Sequence, residues 1–428
     1  LLARLRPGGP EPPPLAELLD RTPLPAADRR LLHALYLGVC RNRPWLDHCL
    51  APRLDRPLSA LDPVVLDVLR LGAFQLLCLE RVPDHAAVAE SVALCRAAGA
   101  GRAAGLVNAV LRRLARDPLP PPAPPGAAGL ALATGMPAWL AERFAARHGL
   151  RRARAWLAAL NTPPPGVCVR LNPLRADPGA VRARLAAAGL RLEPAPLGRH
   201  ALRVHGAEPR RLPGLAEGWL YPQDAASQWV AELLDPAPGS RLLDACAAPG
   251  GKASHLAALA GPEGRVVAVE RDPGRARRLA ANLERLGAEQ VEVVVADAAA
   301  YRPGAPFDAI LLDAPCTGLG VLRRHPEIRW RRTPEAIAEA AALQGRLLAA
   351  VARHLRPGGR LVYAVCSTEP EEGEAVVAAF LASHPHFRPD PLDAVPAAVA
   401  EVAPGGYRTL PHRAPVDAFF AARLRRLR

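Results

Sequence analysis

Three short runs carry side chains able to make and break bonds. Asp244-Ala-Cys246-Ala-Ala-Pro-Gly-Gly-Lys252 holds the only lysine of an otherwise arginine-using chain, and Asp313-Ala-Pro-Cys316-Thr-Gly and Val365-Cys366-Ser-Thr each hold a cysteine. Thiolates are strong nucleophiles near neutral pH, and nearby positive charge increases the thiolate fraction. One electrophile they suit is C6 of a pyrimidine, because attack there makes C5 nucleophilic enough to accept a methyl group. Asp313 can hold the ring N3 and exocyclic amine of a cytosine, and Lys252 can position or stabilise the same assembly. A second reactive group must help when the adduct loses its C5 proton and the first sulfur leaves. Residue chemistry alone does not decide which cysteine attacks. A disulfide or redox pair is the competing reading, but it leaves the neighbouring acids without a shared role. Cys40, Cys78, Cys95, Cys168 and Cys246 read as small core hydrophobes. No compact Cys/His set suggests a metal, so none is expected.

The lysine run follows an apolar, strand-like segment. Gly250 and Gly251 permit backbone conformations and close approach that a side chain would block, and the helix after them directs free amides at negative charge. The run is neither a GxGxxG dinucleotide turn nor a P-loop. Two acids extend it. Glu270 ends the next apolar run, where a carboxylate can accept two ribose hydroxyls, and Asp297 follows a third, placed to help hold an adenine edge. The candidate cofactor residues are therefore Cys246, Ala247, Ala248, Pro249, Gly250, Gly251, Lys252, Glu270, Arg275, Asp297 and Asp313. The bland alternative is that the acids cap neighbouring loops.

These residues need a scaffold that collects strand ends. From residue 240 onward, apolar runs at 241–246, 265–270, 291–295, 307–312 and 360–366 alternate with helical patterns at 253–260, 273–286 and 333–354. That rhythm predicts an α/β domain with a mostly parallel sheet covered on both faces, and ligands of such sheets bind beyond the carboxyl ends of the strands. Upstream, three- and four-residue apolar spacing predicts helices at 29–40, 63–80, 85–98 and 103–116. Pro118 to Pro125 cannot continue a helix and reads as a semi-rigid linker. Residues 139–148, 153–160 and 178–188 read as helices and 166–172 and 202–204 as strands. The expected domains are thus 1–117 (helical), 118–127 (linker), 128–235 (small α+β) and 236–428 (α/β).

The formal net charge of +14, from 55 Lys plus Arg against 41 Asp plus Glu, favours a polyanionic partner, although a general preference for arginine accounts for much of it. The eight cysteines lack paired CxxC spacing, which suits a reducing cytosol. No apolar run approaches the roughly 18 residues of a membrane span, so a soluble, cytoplasmic protein with no membrane partner is expected. With no repeat or coiled-coil seam, a monomer is the default. The chain begins Leu1-Leu2-Ala3-Arg4 and its one methionine is Met136, so an altered or missing native start is expected.

The order of these motifs resembles the bacterial 16S ribosomal RNA cytosine-C5 methyltransferases of the RsmB/Fmu type, within the wider S-adenosylmethionine-dependent family. The segment from Arg81 to Glu90 and Gly105-Leu-Val-Asn-Ala-Val-Leu-Arg-Arg113 resemble a NusB-like RNA-binding domain. Val169-Arg-Leu-Asn172 and Tyr221 to Gln228 resemble the lead into the catalytic core, and Gly320 to Trp330 resembles a substrate-side segment. The resemblance implies a Rossmann-like core with a seven-stranded sheet, S-adenosyl-L-methionine as donor with S-adenosyl-L-homocysteine as product, and 16S rRNA before assembly of the small subunit is complete. It implies that Cys366 is the nucleophile and that Cys316 assists adduct breakdown. It also nominates Asn108, Arg112, Arg113, Arg170, Asn172, Arg323 and Arg324 as RNA contacts. Two departures stand out: Val365 replaces a common Thr, and Ala418 replaces the usual Gly after Asp417. The alternatives are a relative acting on another rRNA or tRNA site, and a non-catalytic ribosome-assembly protein that merely binds RNA.

Overall fold

The structure, a computed structural model, describes residues 22–118 and 120–427 together with Leu2, Leu5, Leu15 and Leu19. It divides into two compact units, Leu1–Thr162 with His325–Thr333, and Pro163–Arg324 with Pro334–Arg428.

The first unit is helical: α1 (Ala26–Leu50), α2 (Pro63–Cys78), α3 (Asp84–Ala97), α4 (Ala104–Arg116), α5 (Gly126–Thr134) and α6 (Ala138–Asn161). Asp62 caps α2 by accepting from the Val64 amide at 2.7 Å, and proline occupies the first turn, where its missing N–H is harmless. On α4 the spacing of Val107, Val110, Leu111 and Leu114 makes one buried stripe against Leu46, Leu50 and Leu69, leaving Arg112 and Arg113 exposed. One expectation changes: the helix expected to stop near residue 40 runs through Pro44 to Leu50. The two helices expected at 139–148 and 153–160 are both present, as the two arms of α6 on either side of Gly149, whose φ of 70° only glycine adopts freely.

The second unit holds two sheets. The smaller has the order β2-β3-β1-β4, all antiparallel, with β1 (Val167–Leu171), β2 (Arg191–Pro194), β3 (Ala201–His205) and β4 (Leu220–Pro222). Helix α7 (Pro178–Ala187) packs Val181 and Leu185 onto it. Helix α8 (Ala225–Glu232) follows β4 and leads into the larger sheet.

The larger sheet is built on β5 (Arg241–Asp244), β6 (Arg265–Glu270), β7 (Val291–Val295), β8 (Phe307–Asp313) and β9 (Leu355–Val365), with α9 (Gly251–Ala260), α10 (Pro273–Leu286) and α11 (Pro334–Ala352) between them. Its parallel half runs β7-β6-β5-β8-β9. After α12 (Glu374–Ser383) come β10 (Phe387–Pro389), β11 (Ala400–Ala403), β12 (Gly406–Thr409) and β13 (Phe420–Arg426). These extend the sheet antiparallel, with β13 on β9 and β12 and β10 both on β13. Among the described residues the sheet therefore has nine strands where seven were expected. The additional pairing comes from strands near the end of the chain, most of them short, which lack the continuous apolar runs of the parallel half.

The topology explains the motif spacing. β8 lies between β5 and β9, in a register that pairs Asp244 with Leu311 and Asp313 with Ala364. The carboxyl ends of β5, β8 and β9 are thus neighbours, although they come from widely separated parts of the chain. Leu243, Ile310, Leu312, Leu361 and Tyr363 form the core beneath them.

Candidate active site

The two cysteines that the sequence singled out meet. Cys316 lies just beyond β8 and Cys366 just beyond β9, with their Sγ atoms 3.3 Å apart. The hydrogen bond to Cys366, then burial, push the Cys316 thiol well above its ordinary pKa, and the Glu372 and Asp313 carboxylates add to the effect. Val365 is fully buried in the sheet core, which accommodates its departure from threonine. Gly320 braces the same corner: its amide donates to the Cys366 carbonyl at 2.9 Å and its carbonyl accepts from the Ala418 amide at 3.0 Å. A Cβ at position 320 would stand 1.9 Å from the Ala418 carbonyl oxygen, so a side chain there would break the bracing.

Lys252, in the first turn of α9, places Nζ 2.7 Å from Asp313 Oδ2. Burial would lower the lysine's pKa, but Asp313 and Asp244 outweigh it and the net shift is upward. The lysine is therefore a fixed cation, and a thiolate at Cys366 stabilises it further.

Asp244, at the end of β5, opens the glycine-rich run. It is completely buried, and its carboxylate meets the Cys246 backbone amide without a well-aligned hydrogen bond to either oxygen. Burial and then the Asp313 carboxylate push its pKa up to about 7, against the pull of Lys252. Its signal in the sequence was an acid closing the apolar run Leu242-Leu243. It lines a cavity of about 180 Å³ together with Cys246, Ala248, Lys252, Asp313 and Arg324. A larger open hollow, about 920 Å³, lies by the amino-terminal ends of β6 and β7 and contains none of these groups. The smaller cavity has the chemistry.

The glycine turn is close-packed. Gly250 has φ 106° and a Cβ there would stand 2.9 Å from Leu279, while one on Gly251 would stand 2.6 Å from the Tyr221 ring. Glu270 is buried, accepts from the Asp272 amide at 3.0 Å and lies 3.4 Å from Arg275, whose guanidinium also donates to the Ala248 carbonyl. Asp297 is exposed at the end of β7 and accepts from the Ala299 amide. A buried carboxylate with unused acceptors, free amides at the start of α9 and acids at the ends of β6 and β7 suit a cationic amino-acid and nucleoside compound.

The proposed RNA contacts separate into two groups. Arg112 and Arg113 are exposed, Asn108 is half-buried and Arg324 is exposed beside the cavity, bonded through its guanidinium to Asp417. Arg323 is buried and donates to the Val416 carbonyl. Arg170 and Asn172 correct the sequence reading, because both are fully buried. Arg170 donates to Gln223, Ser254 and the Gly251 carbonyl, and Asn172 to the Gly218 and Leu286 carbonyls. They join β1 to the glycine turn and to α10 instead of facing a partner.

A parallel half-sheet with a glycine turn after its first strand, acids at the next strand ends and an antiparallel extension defines a methyltransferase-type α/β core. The family described as 16S rRNA methyltransferase RsmB/F matches residues 231–425, the NusB family matches 13–116, and the ferredoxin-like domain of RsmF/B-like methyltransferases matches 136–210. The chain belongs to the RsmB/F family of 16S rRNA methyltransferases. It is 36% identical to the probable ribosomal RNA small subunit methyltransferase B of Synechocystis sp., over 95% of this chain and 93% of that protein. It is 39% identical to the ribosomal RNA small subunit methyltransferase B of Sodalis glossinidius, over 94% and 91%. Among solved structures it resembles a methyltransferase homolog protein from Pyrococcus horikoshii, with a TM-score of 0.63 and 31% identity over 71% of this chain and 100% of that one. Among the described residues, no helix is long and apolar enough to cross a membrane.

Proposed function

We propose that this protein methylates C5 of a cytosine in 16S rRNA through a temporary bond between Cys366 and C6. The observation that carries the reading is the 3.3 Å approach of the Cys316 and Cys366 sulfurs beside the Lys252–Asp313 ion pair. Bound S-adenosyl-L-methionine would supply an electrophilic methyl group. Asp244, the amides at the start of α9, Glu270 and Asp297 would hold it, with Arg275 bracing Glu270. Its product is S-adenosyl-L-homocysteine.

Because C5 and C6 are covered in a stacked duplex, the target base must be unpaired or rotated outward. Asp313, held by Lys252, accepts from the exocyclic amine and from the N3–H of a cytosine that has taken a proton from solvent at N3, and the protonated ring has increased electron demand at C6; that proton returns to solvent when the product leaves. The Cys366 thiolate adds to C6, and C5 becomes the nucleophile for the methyl group. Geometry removes much of the penalty for bringing the groups together. The C5 proton then passes to water, the carbon–sulfur bond breaks with its electron pair returning to Cys366, and Cys316 assists that departure. The helical unit, with Arg112 and Arg113, and Arg324 beside the cavity supply RNA contacts. The division of labour follows the expected domains: 1–117 for RNA, 128–235 as the lead into the core, and 236–428 for the reaction in a monomeric cytoplasmic enzyme.

Methyl transfer from labelled donor to unassembled small-subunit RNA, mapped base by base, tests the reading. Label at C5 of one 16S cytosine is expected, lost in Cys366→Ala with RNA binding retained. Label on tRNA alone would replace the substrate, and RNA binding with no transfer would leave the assembly-protein reading.

A further inference from the structure

Glu372 is completely buried, yet it lies in Glu369-Pro-Glu-Glu-Gly-Glu374, an acidic run that in sequence looks like a solvated surface. Its carboxylate accepts from the Thr317 amide at 2.8 Å, the Thr317 hydroxyl, the Ser367 hydroxyl and the Gln344 side-chain amide at 3.0 Å. Thr317 directly follows Cys316, and Ser367 directly follows Cys366. Gln344 is itself anchored, donating to the Pro315 carbonyl at 2.9 Å, and the Tyr363 hydroxyl, which donates to the Glu372 carbonyl, lies 3.2 Å from its side-chain oxygen. One buried carboxylate therefore holds the loops bearing both thiols, at the residue after each sulfur. A buried charge is tolerated only when its lone pairs are satisfied, and here the donors that satisfy it come from the two loops that must be kept in register.

We propose that Glu372 is the positioning residue of the thiol pair, tying the Cys316 loop to the Cys366 loop so that the two sulfurs stay in register. The proposal rests on the reading of Cys366 as nucleophile only in its consequence for turnover. Cys316 faces the Glu372 and Asp313 carboxylates as well as Cys366, and Tyr363 lies close by. Negative charge at Cys316 is opposed by these carboxylates. When the carbon–sulfur bond breaks and its electron pair returns to Cys366, the Cys316 S–H stands ready to donate a hydrogen bond to the departing sulfur. The C5 proton passes to water, and no oxidant or reductant is required.

The test is cysteine-resolved alkylation of the full chain with iodoacetamide across pH, read by peptide mass spectrometry, in the wild type and in Glu372→Gln. Cys316 is expected to label with a pH midpoint above that of an ordinary thiol, and Glu372→Gln to lower that midpoint by about one unit or more through loss of a nearby buried charge. With RNA and donor, Glu372→Gln should hold a protein–RNA adduct on denaturing gels, as is also expected of Cys316→Ala. Should Glu372→Gln not fold, Ser367→Ala keeps the carboxylate and removes one of its donors, and a higher Cys316 midpoint is expected. A folded Glu372→Gln, or failing that a folded Ser367→Ala, with an unchanged Cys316 midpoint overturns the proposal. A shifted midpoint in a protein whose Cys316→Ala variant never traps an RNA adduct supports the thiol assignment and overturns the nucleophile reading instead.

Discussion

The indole Nε1–H of Trp330 donates to the backbone carbonyl of Cys40 at 2.7 Å, the carbonyl four residues before Pro44, which has no N–H to offer it. Helix α1 can therefore run through its proline because a residue from a distant segment satisfies the orphaned acceptor. Arg43 lies over the same indole ring, 4.9 Å from its centroid, and the neighbouring Arg329 is buried, donating to the Gly135 carbonyl and Asn161 Oδ1 at 2.8 Å each. Trp330→Phe keeps a ring but leaves the acceptor unmet, which should cost about 1–3 kcal/mol. Hydrogen exchange should rise in α1 around residues 40–50 and stay unchanged in β5 to β9. Equal protection of α1 in both proteins would show that the indole bond does not support the helix.

The Lys252–Asp313 pair is mostly shielded, with side-chain exposures of 12% and 27%. Removing only the cation leaves Asp313 and Asp244 facing each other. Lys252→Met should destabilise the protein by about 3 kcal/mol, while adding Asp313→Leu should recover part of the loss, because a paired removal strands no charge. Urea unfolding of the two single variants and the double variant measures the coupling. Strict additivity would mean that the pair contributes nothing to the fold. Each single variant should also lower methyl transfer by at least about a hundredfold, as expected for a lost preorganised electrostatic contact.

Asp244 has a folded-state pKa of about 7, above the ordinary value of about 4, so between those pH values the folded protein holds a proton that the unfolded chain has released. The sign is destabilising as pH rises: the residue's preference for the native state is complete below the unfolded value and is lost on approaching the folded one. A ligand ammonium prefers the ionised carboxylate. Affinity for S-adenosyl-L-homocysteine should therefore increase with pH by up to about tenfold per unit below pH 7 and level off above it. Calorimetry in buffers of different ionisation enthalpy should show proton release on binding near pH 6. In Asp244→Asn both the slope and the release should vanish, and a pH-independent affinity in the unaltered protein would remove Asp244 from the cofactor site.

What could be read in advance depended on how local the stabilising interactions were. The strand at 265–270, the helix at 273–286 and the strand at 291–295 match their observed bounds, because continuous β-branched runs and an Asp272 cap with Pro273 are local signals. The spacing of Asp313, Cys316 and Cys366 anticipated a shared strand edge. The path of α1 through Pro44 could not be read, since its compensating donor lies 290 positions away. Strands β10 to β12 have three or four residues each, and β13 ends in arginines, with its Arg425 meeting Asp390 beside Arg360 of β9, so they lack the long continuous apolar runs of the parallel half. Asp244 and Glu372 were missed for a related reason: a buried carboxylate is written with the same letter as an exposed one, and only tertiary partners distinguish them.

That ambiguity also separates the arginines. Arg112 is exposed on α4, and if it neutralises an RNA phosphate, Arg112→Gln should flatten the dependence of log affinity on log salt by about 0.7–0.9 without altering the unfolding midpoint. Arg170 is fully buried, its pKa lowered to about 10 by burial, and its Nε and Nη2 donate to Gln223, Ser254 and the Gly251 carbonyl. Arg170→Gln should leave the salt slope unchanged and cost about 3 kcal/mol of stability, because it strands buried acceptors beside the glycine turn. Filter binding of 16S fragments across a salt series, alongside urea melts, separates the two effects. A reduced salt slope in Arg170→Gln would return that arginine to the RNA surface, and an unchanged one in Arg112→Gln would take α4 off it.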